Sequence, residues 1–197
     1  MKYSKLAEHL SDFSLILGSQ SPRRKELFAG LNIPFSVEVR EIDEIYPNEM
    51  NPLEVPEFLA ALKSTPFRKN FKQNGLLITA DTIVFIDGQV LGKPLDYEHA
   101  FEMLHKLSGN KHVVITGVCI TSVDKQITFS DHTDVWFKNL SDDEIDYYLK
   151  HYEPYDKAGS YGVQEWIGYV AIERIEGSYF NVMGLPIQRL YEELLRF

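Results

Sequence analysis

The chain has 197 residues, 44% of them hydrophobic, enough for one large domain or for two small lobes with a real core. Its formal net charge of −9 argues against a general nucleic-acid or anionic-membrane binder, but not against a small anionic ligand held by locally gathered cations. One cysteine excludes an internal disulfide, no apolar run reaches the ~20 residues of a membrane span, and the polar opening MKYSKLAEHLSDF does not read as a signal peptide, which points to the cytoplasm.

Residues 1–13 read as a short, weakly specified helix or arm. Leu15, Ile16 and Leu17 form an apolar run expected to be a buried strand. Gly18, Ser19 and Gln20 break it. Ser21 then stands as helix N-cap with Pro22 at the first helical position, and Leu27, Phe28 and Leu31 give the helix a buried face. Arg23 and Arg24 fall in the first turn, where the helix dipole disfavours cations. Backbone N–H groups, hydroxyls and two guanidiniums at one helix start suit an anion. Taken alone, the stretch reads more readily as a capped surface helix with two solvated arginines.

Phe35, Val37 and Val39 alternate with polar residues, a half-buried strand. The acidic stretch EIDEIYPNEMNP reads as a loop, in which Asp43 and Glu44 are solvated carboxylates or within reach of a metal. Residues 53–65 read as a helix with Val55, Phe58, Leu59 and Leu62 on one face, stopped or kinked by Pro66. Lys63, near its end, is favourable there for the dipole alone.

Residues 76–86, LLITADTIVFI, are the most apolar run and read as a central strand, with Asp87-Gly88 turning the chain back through 89–91. Asp81 lies in the middle of that run. A carboxylate there is costly unless it is paired, hydrogen-bonded or metal-bound; a structural Asp bonding nearby backbone N–H groups is the plainer alternative. Thr82 should face the other side of a regular strand. GQVLGKP is not a phosphate loop, since it is one residue short and Pro94 stands where Ser or Thr belongs, but Lys93 stays available as a lone cation.

Asp96 caps a helix through Leu107, with His99 and His105 on its surface and Gly109 at its end. Residues 113–122 and 127–137 read as two strands, with Cys119 a small buried side chain in the first. Ser141 to Glu144 form a capping box opening a helix through His151. YEPYDKAGSYGVQ is too irregular for either period, and Asp156, Lys157 and Gln164 in it are candidates, although Asp-Lys in a loop is commonly a weak surface pair. Residues 168–175 read as a strand, and residues 185–195 as a last helix with Leu190, Leu194 and Leu195 facing the core. The alternation of elements makes a mixed α/β domain.

With these residues in place the chain resembles the Maf family of nucleoside triphosphate pyrophosphatases from about Leu15 to Leu190. The resemblance rests on GSQSPRRKEL, LAALKS, ADTIVFIDGQVLGKPLD, YEPYDKAGSYGVQ and GSYFNVMGLP in the family's order, with the spacer MLHKLSGNKHVVITGV also matching. It implies a mixed-sheet α/β fold related to inosine triphosphate pyrophosphatases, a single Maf-like domain whose two lobes flank a central cleft. It also implies a divalent metal, Mg2+ or Mn2+, and a homodimer. The implied reaction cuts a nucleoside triphosphate between the α and β phosphates, giving monophosphate and pyrophosphate. On the resemblance, Asp81 is the catalytic aspartate. Ser21, Arg24, Lys63 and Lys93 line the phosphates, Glu44 and Asp81 are placed to hold the metal, and Ser19, Asp156 and Lys157 complete the polar site. Arg23, Thr82 and Gln164 mark the branch acting on dTTP and UTP, including modified pyrimidine nucleotides. Glu165-Trp166-Ile167 stands where the family has a more glycine-rich run.

A triphosphate carries about four negative charges, so Arg23, Arg24, Lys63, Lys93 and a metal suit it in an otherwise acidic chain. The competing reading is a nucleotide-binding regulator of cell division or septum formation with weak hydrolysis. A phosphatase releasing orthophosphate finds no Asp-x-Asp pair, since Thr82 and Ile83 follow Asp81.

Overall fold

The computed structural model describes residues 4–47 and 49–197. Its elements run α1 (Lys5–His9), β1 (Ser14–Leu17), α2 (Pro22–Ala29), β2 (Ser36–Val37), α3 (Val55–Ser64), a 3-10 turn (Thr65–Asn70), β3 (Gly75–Ile86), β4 (Gln89–Leu91) and α4 (Tyr97–Leu107). There follow β5 (Lys111–Thr121), β6 (Gln126–Phe137), α5 (Asp142–Tyr152), a second 3-10 turn (Ala158–Ser160), α6 (Trp166–Ala171), β7 (Ile172–Glu176), α7 (Tyr179–Val182) and α8 (Ile187–Arg196). The strands form one seven-stranded mixed sheet in the order β2-β1-β3-β5-β6-β7, with β4 paired to β3. β1 runs parallel to both β2 and β3, while β4 pairs antiparallel with β3 and β7 with β6. The expected α/β class is the one observed.

The chain divides into two compact units, Met1–Asp81 with Thr116–Asp131 and Gly184–Phe197, and Thr82–Ile115 with His132–Met183. In the first unit residues 15–17 of β1 and 76–78 of β3 are apolar and buried, and Ile16, Leu77 and Phe67 pack together with Phe71 against them. The 3-10 turn that begins at Thr65 continues the chain past Pro66 and delivers Phe67 to that core. α1 buries Leu6, with Leu10 buried at its C-cap, and packs on α8, whose buried residues are Leu190 and Leu194. α3 lies directly on β5: a Cβ at Gly117 would come 2.2 Å from the Pro56 carbonyl carbon. That close approach fixes where the last turn of α3, with Lys63, comes to rest.

In the second unit α4 buries Ala100, Met103, Leu104 and Leu107 and packs on α5, which buries Ile145, Tyr148 and Leu149. The Asp87-Gly88 turn has both residues at positive φ (49° and 77°), the mirror-image turn that matches strand twist. The capping box of α5 is complete, Ser141 and Glu144 each satisfying the other's backbone N–H. Asn181 of α7 donates to Val114 O and to Thr133 Oγ1, both at 3.0 Å, and so ties the GSYFN segment to the sheet.

The structure corrects four local expectations. The strand read over Phe35 to Val39 is two residues long, and Val37 and Val39 are exposed, because β2 is an edge strand with little to cover it. On α3 Phe58 is exposed, and Pro56 and Ala60 take the buried places beside Val55 and Leu59. Residues 166–171 are helical before the strand begins, since Gly168 N bonds to Glu165 O and its bare Cα seats against Val163, where a Cβ would lie 1.9 Å from the carbonyl oxygen. Leu195 is only half-buried on α8.

Candidate functional site

In the first unit the expected site residues converge. Ser21 ends the β1–α2 connection as N-cap, its Oγ accepting from Arg24 N at 3.4 Å, and Pro22 supplies the preset φ of the first turn. Ser19 is buried and its Oγ accepts from Ser21 N at 3.2 Å, which fixes the turn before the helix. Arg23 and Arg24 are both half-buried in the first turn. Arg24 reaches back to the sheet: Nε donates to Gly184 O and Nη1 to Ala80 O, each at 2.8 Å. Ala80 precedes Asp81, so this guanidinium grips the backbone next to the candidate carboxylate. Burial pulls the Arg24 guanidinium below its usual proton affinity, while Asp81 and Glu44 oppose that and Arg23 adds to it. Those influences place Arg23, Glu44 and Asp81 within electrostatic range of Arg24.

Asp81 is 8% exposed in the middle of β3. Its Oδ1 accepts from Lys63 Nζ at 2.5 Å, and the same ammonium lies 3.0 Å from Glu44 Oε1. Lys63 is in the last turn of α3, where its charge also suits the helix carbonyls. Glu44 comes from the irregular stretch after β2, exposed, yet it reaches the same cation. The carboxylate that looked expensive in an apolar strand is therefore ion-paired, which answers its burial.

The second unit holds the remaining candidates. Thr82 is half-buried on the opposite side of β3 from Asp81, as strand alternation requires. Lys93 is exposed just after β4, and its loop is anchored by Gly159 N donating to Gly92 O at 3.0 Å. Lys157, a candidate whose plainer alternative was a weak surface pair, is buried at 8% exposure, with Nζ 2.7 Å from Asp156 Oδ1 and 3.1 Å from Glu165 Oε1. Asp156 is itself exposed. Gln164 is half-buried, and among the described residues its Oε1 is buried without a hydrogen-bond partner.

Sequence reasoning did not single out Tyr148, and it named Glu165 only as part of a departure from the family's glycine-rich run. Tyr148 is fully buried on α5, its hydroxyl donates to Glu165 Oε2, and its oxygen accepts from Gly162 N at 3.0 Å. A tyrosine on the apolar face of a helix needs a partner for its hydroxyl, and that was the available signal.

A family model described as Maf-like protein matches residues 14–197. A Phocaeicola vulgatus protein named dTTP/UTP pyrophosphatase is 53% identical over 190 residues, 96% of this chain and 98% of its own length. One so named from Porphyromonas gingivalis is 52% identical over 195 residues, 98% of each. One from Flavobacterium psychrophilum is 48% identical over 190 residues, 96% of this chain and 97% of its own. A crystal structure of a nucleoside-triphosphatase, dITP/XTP pyrophosphatase, from Mycobacterium abscessus aligns with TM-score 0.42 at 8% identity, covering 65% of this chain and 76% of that one.

Proposed function

The chain belongs to the Maf-like protein family, and from that premise we propose that it hydrolyses dTTP and UTP between the α and β phosphates, releasing the monophosphate and pyrophosphate. Modified pyrimidine triphosphates fall within the same proposal. Relatives about half identical along nearly the whole chain carry that activity in their names. The observation that carries the reading is the Lys63 ammonium held between Asp81 and Glu44, a charged centre beside a helix start that bears two arginines.

In this reading Asp81 orients the attacking water with the carboxylate oxygen that Lys63 does not take, and accepts its proton. Lys63 keeps that carboxylate in one rotamer and offers positive charge to the phosphate oxygens. Arg23 and the α2 N-terminus add donors for the anion. Arg24 holds the backbone at Ala80 while presenting its charge. The roles of Lys93 at the phosphates, and of Thr82, Gln164 and Arg23 in choosing the base, rest on the resemblance.

A divalent cation fits the donor set. Asp81 and Glu44 are hard oxygen donors that already share one cation, the Lys63 ammonium. Magnesium and manganese bind through one or two carboxylates plus substrate phosphates, and among the described residues no group of three or more His, Cys, Asp or Glu converges. Asp81 and Glu44 would hold the cation, which when bound neutralises charge on the phosphate oxygens. A homodimer is part of the same proposal, decided by the molar mass in solution. As for its place in the cell, among the described residues no helix is long and apolar enough to cross a membrane.

Product analysis over a nucleotide panel, with magnesium and again after chelation, tests the whole reading. Pyrophosphate and monophosphate from dTTP and UTP support it. Orthophosphate would replace it with a phosphatase, and binding without products with a regulator.

A further inference from the structure

The loop between α5 and α6 closes on itself through a relay of side chains that runs from buried Tyr148 to exposed Asp156. Tyr148 of α5 donates to Glu165 Oε2, and Glu165 Oε1 lies 3.1 Å from Lys157 Nζ, whose side chain is only 9% exposed. Lys157 in turn reaches Asp156 Oδ1 at 2.7 Å. The tyrosine oxygen also accepts from Gly162 N at 3.0 Å, which closes the ring back onto the loop. A Cβ at Gly162 would meet the Glu165 carboxyl carbon at 2.8 Å, so a side chain there would displace that carboxylate. Gln164 lies inside this ring in sequence, between Gly162 and Glu165, and its Oε1 is buried without a hydrogen-bond partner among the described residues.

An isolated buried ion pair is poor evidence of stability, since desolvation offsets the attraction. What the relay does is remove freedom. Each of Gly162, Lys157 and Glu165 is fixed to another member or to α5, so the peptide carrying Gln164 is tethered on both sides. Burial and the Glu165 carboxylate push the Tyr148 hydroxyl well above its ordinary range, so it stays a proton donor at any working pH. A loop held in this way presents its amide in a fixed direction, which selectivity by hydrogen bonding requires.

We propose that Tyr148 and Glu165 are positioning residues that orient Gln164 and thereby set the preference between nucleotide bases. The inference rests on the reading above, in which Gln164 contacts the base. Neither residue touches the substrate in this account. Their effect falls on how well the correct base binds, and not on the rate of phosphate cleavage once it is bound.

The test compares wild type with Tyr148→Phe, Glu165→Gln and Gln164→Ala on dTTP and GTP with magnesium. Tyr148→Phe keeps the ring and removes only the donor. Glu165→Gln leaves an amide whose nitrogen must face either the Lys157 ammonium or the tyrosine hydroxyl. Both variants are expected to raise KM for dTTP about tenfold, the size of one charge-assisted hydrogen bond, with kcat changed less than about twofold. Their dTTP-over-GTP ratio should fall toward that of Gln164→Ala, and the Tyr148→Phe/Gln164→Ala double variant should lose no more than Gln164→Ala alone. If Gln164→Ala changes the ratio while Tyr148→Phe and Glu165→Gln keep the wild-type value, the inference is wrong and the base-reading role stands. If Gln164→Ala itself leaves the ratio unchanged, both fall. Should Glu165→Gln not fold, the isosteric Tyr148→Phe decides by the same ratio.

Discussion

The Lys63 ammonium lies 2.5 Å from Asp81 Oδ1, although one residue ends a helix and the other sits in the buried middle of a strand. The contact turns an expensive carboxylate into a held one, and it makes Asp81 the position where loss of charge should matter most. Asp81→Asn keeps the shape and the acceptor oxygen toward Lys63 but removes the base. Turnover of dTTP is expected to drop about 10³-fold, within the range of a lost general base. Circular dichroism should match wild type. Hydrolysis within a few-fold of normal would remove Asp81 from the catalytic role.

Lys63→Met tests the same pair from the other side. The variant leaves Asp81, 11% exposed at its side chain, without that ammonium, and Glu44 loses it as well. Removing one partner of a largely buried pair is expected to cost about 3 kcal/mol in denaturant unfolding. The double variant Lys63→Met/Asp81→Asn should recover part of that loss, because the largely buried charge at Asp81 is gone and the Glu44 carboxylate is exposed. A double variant whose loss equals the sum of the two single losses would show that the pair is not coupled.

The outline of this site was legible because its parts carry local signals. Ser21 before Pro22 marks a helix start whatever the tertiary context, and Asp81 stands out against an apolar strand. The partnerships were not legible, since Lys63 and Asp81 are 18 residues apart and nothing in either segment names the other. The burial of Lys157 was hidden for a related reason. Its charge suggests a surface, and only the fold shows that it is buried beside Glu165, which Tyr148 holds in turn. The misread strand near Gly168 failed because β-branched and aromatic residues outweighed a glycine whose value is a close backbone contact.

Arg24 is tied to two backbone carbonyls, and that separates it from a simple phosphate cation. Arg24→Lys keeps the charge but has no planar fork to hold Ala80 O and Gly184 O together. The expected result is a loss of about 1–3 kcal/mol in unfolding free energy. With it should come a fall in kcat of about tenfold, as the backbone at Asp81 loosens. Unfolding curves and steady-state kinetics on one preparation check both. A variant of wild-type stability with only KM raised would show that the charge, and not the clamp, is what matters.

Gly117 links the fold to the site through α3. A methyl group there would press into the backbone at Pro56 and Glu57, with contacts of 2.2–2.3 Å, and backbone cannot rotate out of the way. Gly117→Ala is expected to destabilise by more than about 2 kcal/mol, at the upper end of overpacking costs. Turnover should fall as well, because the displaced helix carries Lys63. Thermal unfolding and dTTP hydrolysis measured together test this, and a variant unchanged in both would mean that α3 is not seated on β5 as described.

His112 gives a pH dependence of stability with a definite sign. The ring is 1% exposed, Nε2 lies 2.8 Å from Tyr161 OH, and Nδ1 has no partner among the described residues. Phe137 and Tyr161 stand edge-on to it, at ring-centre distances of 5.0 and 5.4 Å. Burial pushes its pKa from 6.5 down to about 3, with the charge of Asp134 opposing the shift weakly. The unfolded chain therefore binds a proton that the folded chain refuses between those two values. The stability contributed by the neutral ring is complete above pH 6.5 and is lost as pH falls from there toward 3, by several kcal/mol over the whole window. Replacing His112 with Phe removes the titrating group and leaves the Tyr161 hydroxyl without that partner, so the variant should be less stable at pH 8 but flatter with pH. Urea unfolding of both proteins at pH 8, 6.5 and 5 measures the difference. Parallel pH profiles would show that the ring is not held neutral in the fold.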